Sequence, residues 1–217
     1  MNFKKNRYVI IKKLVSQELC NFLTNYLIIK RQCAKTLFET KQISPYSVDY
    51  GRWTDPQVPN TYTCYGDIAI ETLLLKIKPE VEKITKLKLI ESYSFCRIYK
   101  KGDELKRHKD RDACEISATL NLGGDDWPIY VSPYENLGYV DDKNFFNSSN
   151  AKGVKIKLEP GDMMLYAGCE IEHWRNKFKG QECFQAFFHY NTEGRRVAFD
   201  GRPHVGLPEY TAKDHGD

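Results

Sequence analysis

The chain has 217 residues, 41% hydrophobic and 13% aromatic, which is enough apolar material to bury a core and excludes an intrinsically disordered chain. Its 33 basic against 29 acidic residues leave a formal charge of +4, too mild by itself to argue for nucleic acid. No stretch is long and apolar enough to span a membrane, and Lys12 and Lys13 interrupt the basic start MNFKKNRYVIIKKLV before a secretory leader can form.

The length fits a single domain, 1–217, with N-terminal helices and a long loop over 1–88, a β core over 89–191 and an irregular tail over 192–217. In chain order, Val9, Ile10 and Ile11 read as a short strand. Ser16 is a candidate N-cap, followed at helical spacing by Leu19, Phe22, Leu23, Tyr26 and Leu27. Residues 41–66 are rich in Pro, Gly, Asn and Tyr without a period and predict a long ordered loop. Asp67 is a candidate cap for a second helix carrying Ile70, Leu73, Leu74 and Ile77, and Pro79 predicts the start of a further turn or helix.

After Leu87 the pattern changes. Segments 91–99, 114–122, 127–132, 154–159, 162–168, 171–178 and 182–191 are short and rich in β-branched and aromatic residues. Turn residues separate them, as at Lys101-Gly102-Asp103 and Pro160-Gly161-Asp162. Such a series predicts a mainly β sandwich or barrel, and with helices in front of it a jelly roll backed by helices. The seven cysteines are scattered, without a CxxC pair, and read as reduced thiols. With no leader or span, a cytoplasmic location is expected.

The run Lys106 to Arg111 contains His108-x-Asp110. On an extended chain, alternate residues share a face, so both side chains can grip one ion. The pair alone reads more readily as a surface ion pair in a charged turn. His173, on the segment after Pro160-Gly161-Asp162, changes the balance. Two imidazoles and one carboxylate, with other positions open, form the ligand set of a non-haem Fe(II) oxygenase.

The order Tyr99, Gly102, His108-x-Asp110, a Ser/Thr/Asn strand, Pro160-Gly161-Asp162 and His173 resembles the Fe(II)/2-oxoglutarate-dependent dioxygenases, most nearly their prolyl 4-hydroxylase-like branch, over roughly residues 90–191. The resemblance implies a double-stranded β-helix, a distorted, cupin-like jelly roll, here with an N-terminal helical support. It implies Fe(II) on His108, Asp110 and His173, with 2-oxoglutarate and O2 as co-substrates and ascorbate as reductant. The reaction it implies is hydroxylation of a C–H bond in a peptidyl (prolyl among others) or small-molecule substrate, with release of succinate and CO2.

The family's anchor for the distal carboxylate is a base shortly after the second His, and Gly180 to Gln185 supplies none. Arg175 is the first candidate instead, because it shares the face of His173 and its guanidinium matches a carboxylate. Tyr99, Gln185, Ser117 and Thr119 are candidate hydrogen-bonding partners of the co-substrate, and Arg111 is a weaker charge partner. His189 reads as a hydrogen-bonded core residue on the face of Cys183, Gln185 and Phe187. His204 and His215 carry no assignment. The basic residues Lys106, Arg107, Lys109 and Arg111, with Arg175, Lys177 and Lys179, read as a solvated rim, and the sharper alternative is a positive mouth that steers anions.

Two other functions fit less well. Oxidative demethylation of nucleic-acid bases occurs on this fold, but those enzymes carry paired arginines on the last core strand, and 182–191 has none. A cupin-like protein holding Zn(II) or Mn(II) without redox chemistry would use the same ligands.

Overall fold

A computed structural model describes residues 2–134, 137–143 and 145–195. A short helix α1 (Phe3–Asn6) leads into strand β1 (Tyr8–Ile11) and the long helix α2 (Gln17–Glu39). Strand β2 (Tyr62–Tyr65) and helix α3 (Ile68–Thr85) follow. Then come β3 (Leu89–Lys100), β4 (Leu105–His108), a 3-10 turn over Asp112–Cys114, β5 (Ile116–Gly124) and β6 (Ile129–Val131). The chain continues through β7 (Tyr139–Val140), β8 (Phe146–Asn147), β9 (Val154–Ile156), β10 (Met163–Ala167), β11 (His173–Arg175) and β12 (Glu182–Thr192).

The strands form a six-stranded sheet in the order β1-β10-β5-β12-β3-β2 and a four-stranded sheet in the order β4-β11-β6-β9, while β7 and β8 make a separate hairpin. Every pairing is antiparallel. The fold is a mainly β double-stranded β-helix supported by N-terminal helices; the strand series predicts a jelly roll backed by helices, and the resemblance implies the β-helix form.

The period-2 alternation of strand side chains explains how one sheet serves two purposes. Ala118, Leu120 and Leu122 of β5, Met163 and Leu165 of β10, and Ala186 and Phe188 of β12 join one core with Leu23 and Leu27 of α2 and Leu74 and Ile77 of α3. The alternate residues of the same strands, Ser117, Thr119, Asn121, Gln185 and His189, are just as buried and polar. One face therefore packs on the helices, and the other turns its polar groups to the interior between the sheets.

The helix caps match the sequence reading. The Ser16 side chain accepts from Leu19 N, and Asp67 accepts from Ala69 N and Ile70 N. Pro79 does not begin a new element: α3 runs through it. The missing N–H leaves the Leu75 carbonyl without its helical donor. Leu75 and Pro79 both lie on the exposed side, where that carbonyl is open to solvent, while Leu74, Ile77 and Val81 hold the other side in the core.

The loop over 41–66 is also corrected, because its last residues form β2, which pairs with β3 from Tyr62↔Ile98 to Tyr65↔Phe95. All seven cysteines are free, five of them buried. No helix among the described residues is long and apolar enough to cross a membrane. Of the tail over 192–217, only 192–195 are described, so His204 and His215 lie outside the described residues.

Candidate metal centre and its surroundings

The register of β4 against β11 sets the site. His108 and His173 are directly paired across the two strands, so their rings share a face, with centroids 4.3 Å apart. β4 ends at His108, and Asp110 reaches the site from the turn beyond it, which corrects the expectation of an extended chain through both residues. A hydrogen bond from Asp110 N to Gly168 O (2.9 Å) fixes that turn. Asp110 Oδ1 then lies 3.6 Å from His108 Nε2 and 3.3 Å from His173 Nε2. Potential ligand atoms of the three residues all fall within 4.8 Å of one another.

The far nitrogens are tied down. His108 Nδ1 lies 2.7 Å from Lys106 O and His173 Nδ1 lies 3.3 Å from Ile171 O. Each Nδ1 therefore carries the hydrogen, by assignment from its acceptor, and each Nε2 presents a lone pair to the shared space. This is how protein imidazoles are oriented toward a cation. Burial pushes the His173 pKa down, although Asp110 opposes the shift. Burial alone would raise Asp110, but the facing imidazoles outweigh it and hold the carboxyl well below its usual range. A divalent metal takes the place of the imidazole protons at such a cluster, because it binds an ionised carboxylate and neutral imidazoles.

The outer neighbours of the ligands lock the strands. Glu172 is fully buried and accepts from Arg107 Nε (3.0 Å), Ser149 N (2.7 Å) and Ser149 Oγ (2.5 Å). Arg107 also lies 4.1 Å over the Trp174 ring. Arg107 is thus part of a clamp beside the two histidines and not of a solvated rim.

The predicted co-substrate residues divide into two groups. Arg175 is 1% exposed. It donates to Gln185 Oε1 (3.0 Å), Thr119 Oγ1 (3.5 Å) and the Trp127 carbonyl, and its Nε has no partner. No carboxylate pairs with this guanidinium among the described residues, and burial lowers its pKa. A buried cation without a counter-ion is costly unless an anion arrives. Tyr99 and Tyr166 are the cavity-lining residues within its electrostatic reach.

Ser117 departs from expectation. Its hydroxyl bonds to Asp110 Oδ2 (2.6 Å) and lies 2.9 Å from His189 Nδ1, so it serves the metal-side carboxylate. Arg111 is exposed, contacts Tyr65, lies 5.0 Å over the Tyr93 ring and lines the cavity. His189 is a buried, hydrogen-bonded residue, as read from the sequence, and burial lowers its pKa to about 4.

A cavity of about 420 Å³ opens beside the triad, lined by Arg52, Gln57, Tyr65, Tyr93, Phe95, Phe187 and His189 among others. Several residues around the site escape the sequence reading. Arg97, 1% exposed, donates to Asp55 Oδ1 (2.7 Å) and Gln57 Oε1 (3.1 Å). Gln57 Nε2 in turn lies 3.2 Å from His108 Nε2. The signal was the arginine standing inside the apolar strand around Phe95 and Ile98. Gly168 is another: a Cβ there would fall 2.5 Å from both Asp110 Oδ2 and Ser117 Oγ.

The fold and these residues together define a double-stranded β-helix with a two-histidine, one-carboxylate cluster at its open end. Among solved structures, the chain is similar to a prolyl-4-hydroxylase from Pseudomonas putida, with a TM-score of 0.60 and 15% identity over 88% of this chain and 96% of that one. It is also similar to HygX from Streptomyces hygroscopicus, solved with nickel, 2-oxoglutarate and hygromycin B, with a TM-score of 0.58 and 13% identity over 98% of this chain and 96% of that one. The non-heme alpha-ketoglutarate-dependent carbocyclase SnoK from nogalamycin biosynthesis gives a TM-score of 0.61 and 12% identity over 96% and 91% of the two chains. No family model and no curated protein sequence matches the chain.

Proposed function

We propose that the chain is an Fe(II)- and 2-oxoglutarate-dependent oxygenase that hydroxylates a C–H bond of a small-molecule or peptidyl substrate, with release of succinate and CO2. One observation carries the reading: three ligand-type side chains converge, and on the strand of one of them stands a buried guanidinium with no carboxylate partner among the described residues. His108, Asp110 and His173 would hold the iron, whose role when bound is to activate O2 against the keto acid. HygX, with metal and 2-oxoglutarate on the same fold, supports the cofactor assignment.

The chain's own residues do the rest. Arg175 receives the distal carboxylate of 2-oxoglutarate, and Gln185 and Thr119 hold the guanidinium in place. Tyr99, which lines the cavity within electrostatic reach of Arg175, adds a hydroxyl. Tyr65, Tyr93, Phe95 and Phe187 enclose the substrate group and keep water from the reacting centre. The cavity volume suits one small molecule or one side chain of a peptide. The location we propose is the cytoplasm.

The test is incubation with Fe(II), O2 and 2-oxoglutarate, with succinate followed by NMR in the presence of metabolite and peptide pools. Metal-dependent succinate that His108→Ala abolishes is expected. Its absence in every pool would sink the oxygenase reading and leave a metal-holding protein without redox chemistry.

A further inference from the structure

Asp110 offers its two carboxylate oxygens to different partners. Oδ1 faces both histidine Nε2 atoms, while Oδ2 accepts from Ser117 Oγ at 2.6 Å. Ser117 Oγ also lies 3.1 Å from Cys114 O and 2.9 Å from His189 Nδ1. A hydroxyl has a single hydrogen to give. The carboxylate is the nearer and stronger acceptor, so the hydrogen goes to Oδ2. The remaining contact requires His189 to donate its Nδ1–H to Ser117 Oγ, which fixes the tautomer. The Tyr93 ring, 4.5 Å from His189 and stacked on Tyr65, holds the imidazole in this orientation. The bare Gly168 leaves room for the bonds.

We infer that His189 is a positioning residue: through the Ser117 hydroxyl it holds Asp110 to one ligating oxygen and keeps neighbouring metal positions open for co-substrate. The inference rests on the metal-site reading above. A carboxylate free to turn could chelate through both oxygens and occupy one of the positions that the keto acid needs. Packing alone does not demand histidine here, since Phe184, Phe187 and Phe188 fill other positions of the same buried strand. His189 also lines the substrate cavity, so substrate and metal-side carboxylate share one neighbour.

Ni(II) titration calorimetry and the visible spectrum of the Co(II) form test this on the full chain, with wild type and His108→Ala as the two reference points. His189→Leu removes the donor and is expected to weaken Ni(II) binding about tenfold and to shift the Co(II) bands, as loss of an outer-shell partner does. His189→Asn places an amide N–H near the former Nδ1–H and is expected to recover both. In a Ser117→Ala background, His189→Leu is expected to change nothing further. Unchanged affinity and spectrum in His189→Leu, failure of the asparagine to recover them, or equal losses in both backgrounds would overturn the relay alone. Equal Ni(II) binding by wild type and His108→Ala would overturn the metal site and the relay with it.

Discussion

At the scale of single residues, the electrostatics of Arg175 and His189 are complementary. Arg175 is a buried cation awaiting an anion, so replacing it should be felt by the co-substrate more than by the fold. Arg175→Leu is expected to raise the KM for 2-oxoglutarate at least tenfold, the loss of a charge-assisted hydrogen bond of about 1.5–3 kcal/mol. Initial-rate kinetics of succinate release check this, and an unchanged KM would move the anchor elsewhere. His189 is a buried neutral imidazole. Burial sets its pKa at about 4 against an ordinary 6.5, so between these values the unfolded chain binds a proton that the folded chain refuses. Stability from this group is therefore complete above pH 6.5 and falls as the pH drops to 4, by roughly 3 kcal/mol in all. Urea unfolding at pH 7 and pH 4.5 should show a smaller acid loss in His189→Asn than in wild type.

Among the elements, the strand bearing His173 depends on a contact outside the cavity. Glu172 is the buried acceptor for Arg107 and for both polar groups of Ser149. Glu172→Ala would leave Arg107 without its carboxylate and release residues near 149 from β11. A loss of about 3 kcal/mol is expected in unfolding, with faster limited proteolysis between β6 and β9. Equal cleavage in wild type and variant would contradict the clamp.

The sequence made parts of this architecture legible and hid others. Ser16 and Asp67 announced their helices because a cap is a local device. β3, β5 and β12 were visible because long strands concentrate β-branched and aromatic residues. β2 was not, since four residues inside a Pro- and Asn-rich stretch carry no readable period, and only the edge of β3 makes them a strand. Pro79 misled because its exposed setting, which tolerates the lost hydrogen bond, is a tertiary fact. The metal triad was readable from residue type and order. Arg97, Gly168 and the Ser117–His189 contact were not, because each depends on cross-strand neighbours that no local spacing encodes.

Across the whole molecule, the helices, the large sheet and the site are joined by strands whose two faces have different tasks. β1 closes one edge of the large sheet by pairing with β10, from Tyr8↔Tyr166 to Ile11↔Met163. Deleting residues 1–12 would bare that edge of β10, a template for pairing with other chains. Concentration-dependent light scattering of the shortened chain is expected at protein levels where the full chain stays monodisperse. The same pairing has a temporal consequence. During synthesis the first strand emerges long before its partner, and the ribosome must add about 150 residues at roughly 5–20 per second before Ile11 can meet Met163. For those roughly 8–30 seconds the nascent chain holds an unmatched hydrophobic strand, which makes it a client for chaperones well before its large sheet is closed.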